Sequence, residues 1–133
     1  MSRILLDTSG YSTLIRGLEE AARLVRQAYE IHFTPVVLGE LHVGFERGSK
    51  QKSNLQDLER FLSSPRVQID AIDPETSKRY AAIFDDLRRR GTPVPVNDIW
   101  IAASAMQHGL TVVTADIHFL SIPQVVTQFI QTS

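Results

Sequence analysis

Four acidic residues sit where a carboxylate is costly or unexpectedly placed. Asp7 directly follows a short apolar run, Glu40 lies among valines, Asp98 is one step inside the apolar stretch VNDIWIAASA, and Asp116 closes TVVTAD. Carboxylates gathered together raise one another's pKa unless a cation offsets the repulsion. The chain has no cysteine and no paired histidines at metal spacing, so a shared ion would be held by oxygen and would be hard, Mg²⁺ or Mn²⁺ rather than zinc. Such an ion binds phosphate oxygens, and the chemistry that follows is metal-assisted hydrolysis of a phosphodiester.

Taken singly, each acid has a plainer explanation. Asp7 or Asp116 could serve a turn or a cap, and Glu40 could be half of a buried ion pair. Asp98 would be favoured by the helix dipole in a first turn capped by Asn97. Side-chain direction argues for more. At about 100° per residue, Ser104, Gln107 and His108 mark one polar side of the Asp98 helix, and Asp98 falls nearly opposite, in line with Ala102 and Ala105. Around the preceding acid, His42 and Glu46 mark the wet side, while Glu40 falls among Val36, Val37, Val43 and Gly44. A charge that faces inward needs partners or a cation.

The elements that must position these acids alternate between short apolar runs and helical patterns. That is the signature of a parallel sheet covered on both faces. RILL is the first strand, followed by two helical segments carrying Tyr11, Leu14, Ile15 and Leu18, then Ala21, Leu24, Val25 and Ala28, with Gly17 as the break. IHFT is the second strand, and Pro35 opens a helix reaching about Glu46. GSKQKSN is a polar loop, Leu55 to Leu62 a helix, and VQI a short strand. Asp73 and Pro74 open a long helix with Tyr80, Phe84 and Leu87 on its inner face and Gly91 past its basic end. TVVTAD is a fourth strand and VVTQF a fifth. Ligands of parallel α/β sheets gather outside the carboxyl ends of the strands. This order therefore delivers Asp7, Glu40, Asp98 and Asp116 to one rim.

Composition narrows the function. At 133 residues the chain is expected to be one domain, spanning 1–133, long enough for a real core. Its 14 basic and 15 acidic side chains nearly cancel, so no global field marks a nucleic-acid or membrane binder, and a polyanion would have to be held by local patches. The opening MSRILLDTSG resembles neither a signal peptide nor a membrane span. The absence of cysteine is compatible with a reducing cytoplasm, which is the expected location, away from any membrane.

Four stretches, ILLDTS, TPVVLGELHVG, VNDIWIAASA and LTVVTADIHF, together resemble the PIN domain ribonucleases, and specifically the VapC toxins of toxin and antitoxin pairs. They occur in family order and at family spacing, so the resemblance spans essentially the whole chain. It implies a three-layer α/β/α sandwich on a parallel sheet of four to five strands. It also implies that Asp7, Glu40, Asp98 and Asp116 are the family's acidic quartet, catalytic and metal-binding with Mg²⁺ or Mn²⁺. Thr8 or Ser9 matches the family's hydroxyl position, while Asn97 and His118 match positions that support the acids; His118 could equally be an exposed turn histidine. The resemblance further implies a homodimer, RNA cleavage leaving a 5′ phosphate, and inhibition by a VapB-type antitoxin whose C-terminal segment lies across the acidic cleft.

Trp100 is expected on the polar side of its helix, where a large indole suggests a subunit contact or a covering loop. Arg88, Arg89 and Arg90 complement a helix dipole. Arg47, Lys50 and Lys52 flank a loop and would either be solvated or track an RNA backbone. Other function classes fit poorly. A receiver domain needs a paired acid after the first strand and a lysine near the last, whereas Asp7 stands alone and the final lysine is Lys78. An aspartate-nucleophile phosphatase needs a second acid where Ser9 stands, and neither a P-loop nor an HExxH pattern occurs. The remaining alternatives are a PIN nuclease of RNA processing outside a toxin pair, and a silent protein-binding module.

Overall fold

A computed structural model describes residues 2–132. Its elements are β1 (Ser2–Leu6), α1 (Thr8–Ile15), α2 (Glu19–Gln27), β2 (Ala28–Phe33), α3 (Pro35–Arg47), α4 (Gln51–Leu62), β3 (Val67–Ile69), α5 (Pro74–Arg90), α6 (Val96–His108), β4 (Thr111–Thr114) and β5 (Val126–Phe129). A 3-10 turn, Ile117–Ser121, joins the last two strands. The five strands form one parallel sheet in the order β3-β2-β1-β4-β5. Parallel crossovers are right-handed. Those leading from β1 to β2 to β3 run outward in one direction and put α1 to α4 on one face. The crossover from β3 back to β4 reverses direction and puts α5 and α6 on the other. The result is the α/β/α sandwich the sequence implied, and its topological switch point lies between β1 and β4.

Burial follows this layering. Ile4, Leu5 and Leu6 of β1 are all buried, as expected for a central strand covered on both faces. On the α1 to α4 face, the rings of Tyr11, Phe33 and Phe61 meet edge to face at 5.7 to 5.9 Å. Gly17, at φ +83°, makes the left-handed turn that separates α1 from α2.

Several boundaries differ from the sequence expectation. Ala28 is the first residue of β2 rather than the end of a helix, because it pairs with Ser2 while Arg3 binds Glu30 at 2.9 Å across the same two strands. The polar loop shrinks to residues 48–50. The Gln51 to Asn54 stretch joins α4, since Leu58, Phe61 and Leu62 supply a packed face and the added turn needs only solvent. On α5, Phe84 is 42% exposed; Ile83 and Leu87 form the inner face, and Phe84 stacks on Tyr80 at its margin.

The largest difference concerns α6. The side marked by Ser104, Gln107 and His108 does not face water: Ser104 is fully buried, and α5 covers that side. Gln107 exchanges hydrogen bonds with Asp73 and Thr76, and Trp100 is half-buried, its indole stacked on Tyr80 at 4.1 Å. Tyr80 thus accounts for the indole without a second subunit.

Candidate metal centre at the sheet's switch point

Asp7 leaves β1 and caps α1, its Oδ1 accepting from the Gly10 N–H at 2.6 Å. The Ser9 hydroxyl donates to the same carboxylate at 2.9 Å, and Thr114 Oγ1 donates to Oδ2 at 2.6 Å. Ser9 Oγ also accepts from the Ala115 N–H, which ties the start of α1 to the end of β4. This close approach requires Gly10, where an added Cβ would lie 2.2 Å from the Val113 carbonyl oxygen. Burial raises the Asp7 pKa against the hydrogen bonds from Thr114, Gly10 and Ser9, and the charge on Asp116 pushes the same way as burial.

Glu40 projects from α3 and is held at both oxygens. Thr8 Oγ1 donates to one at 2.5 Å and Asn97 Nδ2 to the other at 3.2 Å. Thr8, Ser9 and Asn97 thus all hold acids in place. Asn97 does so from inside α6, not as its cap: the capping position is Pro95, which has no side-chain cap to offer. Glu40 is half-buried and its surroundings differ from the expectation. Val37 and Leu41 point into the core, while Val43 is 49% exposed and Gly44 is also exposed, so the valine-rich side of α3 opens onto a groove.

Asp98, 8% exposed in the first turn of α6, faces Asp116 and His118 across the rim. His118 Nδ1 lies 3.2 Å from Asp98 Oδ2 and 3.0 Å from Asp116 Oδ1. That nitrogen is buried, although much of the ring is exposed, and it makes no well-directed hydrogen bond. One ligand atom from each of Asp98, Asp116 and His118 lies within 4.8 Å of the other two. His118 is therefore part of the cluster and not an isolated turn histidine. Asp7 and Glu40 stand beside this trio. Burial first, then the charge of Asp116, pushes the Asp98 pKa up to about 6; His118 opposes this, and Glu40 and Asp7 add to it. Carboxylate oxygens around an imidazole nitrogen with no hydrogen bond of its own form a donor set that fits a divalent cation.

Sequence reasoning missed two contributors. Thr114, fully buried at the end of β4, bonds Asp7 and also accepts from the Asp116 N–H at 2.9 Å. Its signal was a hydroxyl two residues before the strand-end acid. Gly10 was signalled only by a glycine in the first turn of a helix, where it is disfavoured unless something comes close.

The raised pKa values have a measurable consequence. The native chain binds protons at Asp98 and Asp7 more tightly than the unfolded chain does, so both groups lower metal-free stability as pH rises, Asp98 between about 4 and about 6. For Asp98 the full effect is at most about 3 kcal/mol. Thermal melts in chelator across this window should show Asp98→Asn gaining on the unsubstituted chain as pH rises. A constant gap between the two would remove Asp98 as the source.

The PIN domain family model matches residues 4–124, in accord with a five-stranded parallel sheet that carries acids at its switch point. Ribonuclease VapC4 of Mycobacterium tuberculosis is 33% identical over 123 residues, 92% of this chain and 93% of that protein. The tRNA(fMet)-specific endonuclease VapC of Salmonella typhimurium is 30% identical over 129 residues, 92% of this chain and 94% of its own. Among solved structures, DNA-bound VapBC from Salmonella typhimurium superposes with a TM-score of 0.83 at 29% identity, covering 97% of this chain and 98% of that one. The chain belongs to the PIN domain family, in its VapC ribonuclease branch.

Proposed function

We propose that this protein is the toxin of a VapBC-type pair, an endoribonuclease that hydrolyses RNA phosphodiester bonds with Mg²⁺ or Mn²⁺ held by Asp7, Glu40, Asp98 and Asp116. The observation that carries the reading is the convergence of Asp98, Asp116 and His118, with Asp7 and Glu40 close enough to bear on Asp98. The relatives' names support the RNA substrate, and the VapBC complexes support an antitoxin partner. The reading places it in the cytoplasm, as one domain over 1–133 and as a homodimer; no helix among the described residues is long and apolar enough to cross a membrane.

A divalent cation bound at this rim would supply positive charge against the scissile phosphate and the departing oxygen and would make water more acidic. The chain's own contribution is rigidity. Glu40 is anchored by Thr8 and Asn97, and Asp7 by Ser9, Thr114 and Gly10, so the carboxylates need little reordering when the site fills. His118 becomes the third member of the set. Its buried Nδ1, which makes no hydrogen bond, would serve as a metal ligand beside Asp98 and Asp116.

Purified protein should cleave RNA with Mg²⁺ or Mn²⁺, lose cleavage in excess chelator, and recover it when the ion is restored. Its melting temperature should rise with added metal, because an ion that binds only the folded chain stabilises it. Cleavage that persists at full rate in chelator would sink the metal-dependent reading. A small reading frame immediately upstream, encoding a DNA-binding protein that suppresses cleavage, would distinguish a toxin from a general processing nuclease.

A further inference from the structure

The outer face of α3 presents Val36, Glu40, Val43 and Arg47 in line, at helical spacing, along one wall of an open groove of about 660 Å³. Asn97 closes the end of the groove nearest the acids, where it donates to Glu40. Arg47 lies seven residues beyond Glu40, about 10 Å along the helix axis. Gly39 and Gly44 flank the line on either side. The groove is therefore continuous with the acidic rim, apolar through its middle, and cationic at its far end.

Two features of this wall suit a ligand from outside. Arg47 is exposed in the last turn of α3, where a cation complements the helix dipole, and its guanidinium pairs with no carboxylate among the described residues, which leaves it open to an anion. Glycine inside a helix is disfavoured relative to alanine, yet a Cβ at Gly39 or Gly44 would meet nothing within 4 Å. The fold does not need these glycines, which leaves a flat backbone wall open to close approach from outside.

We propose that this groove receives the RNA strand to one side of the scissile bond, with Arg47 holding a phosphate and the glycine-flanked wall taking the adjoining base. The inference rests on the nuclease reading above and names where its substrate lies. Charge complementarity selects the occupant. A rim of clustered carboxylates repels a polyanion, and the chain's overall charge is only −1, so attraction must be local. A guanidinium matches a phosphate in two-pronged geometry, and bases of a single strand offer flat faces to an apolar wall. A strand bound at the rim has to leave it by some path, and this groove passes Glu40.

The test uses the whole chain with cellular RNA and Mn²⁺, reading KM and kcat separately. Arg47→Gln should raise KM about tenfold with kcat nearly unchanged, and flatten the dependence of log KM on log salt by about one. Arg47→Lys should restore part of the loss. Gly44→Leu should also raise KM while melting at an equal or higher temperature, a combination that a structural role cannot produce. The rise in melting temperature on adding Mn²⁺ should match the unsubstituted chain in every variant. Unchanged KM in both Arg47→Gln and Gly44→Leu would overturn the proposal while leaving the nuclease reading intact. Unchanged KM together with weakened binding of a co-expressed antitoxin would overturn it by assigning the groove to a protein. An unsubstituted chain that neither binds nor cleaves RNA would sink the nuclease reading and this inference together.

Discussion

Asp98→Asn is expected to lower RNA cleavage on the order of a thousandfold, the scale lost when a central electrostatic group is removed from a hydrolytic site. The amide keeps the shape of the carboxylate and so separates charge from packing. Asp98 is the most buried member of the trio and the one on which the other acids bear most clearly. Neutralising it removes a negative ligand from the cluster and also removes the repulsion that burial and Asp116 impose. Activity should therefore collapse while metal-free stability at neutral pH holds or rises, and the stabilisation gained from added metal should shrink. Cleavage kinetics, circular dichroism and melts in chelator measure the three quantities on one sample. Retained cleavage would take Asp98 out of the site; a lost fold would make it a structural ion-pair residue.

Gly10→Ala should be among the most damaging single-methyl changes available in this chain. The added Cβ would sit 2.2 Å from a backbone carbonyl of β4, and no side chain can swing away to relieve that contact. Either α1 or β4 has to move, at a cost of about 3 kcal/mol or more, the upper end of overpacking penalties. The displaced segment carries the Asp7 cap and the Ser9 link to Ala115, so cleavage should fall with stability. Urea unfolding provides the measurement, with Gly44→Ala as control. That substitution adds the same methyl where it meets nothing and should be neutral or stabilising. If the two variants unfold at the same urea concentration, the close approach of α1 to β4 is not real.

The architecture was legible because its signals are local and repeated. Short apolar runs, Pro35 and Pro74 at helix starts and Gly17 at a break each act within a few residues, and in a parallel sheet the strand ends share an edge whatever the packing. That geometry brought Asp7 and Asp116 together from sequence position alone. What covers a helix side was not legible. Azimuth says which residues share a side of α6, but not that α5 would bury Ser104 and stack Tyr80 on Trp100. The same limit made the Glu40 side of α3 look like core, when only Val37 is core and Val36 and Val43 line a groove. The role of Thr114 was hidden for a different reason. Its hydroxyl acts on a carboxylate 107 residues earlier in the chain, and no local pattern records that pairing.

That last bond also has a meaning in time. Asp7 is among the first residues synthesised, yet its carboxylate is completed by Thr114, and the rim by Asp116 and His118. Strand β1 itself stays half-paired until β4 arrives to lie beside it. Parallel sheets with such distant pairings assemble late and slowly. On the proposed assignment of the site, a nascent chain on the ribosome carries no complete rim until its final quarter has emerged, so a half-made copy would not cleave RNA near the site of its own translation.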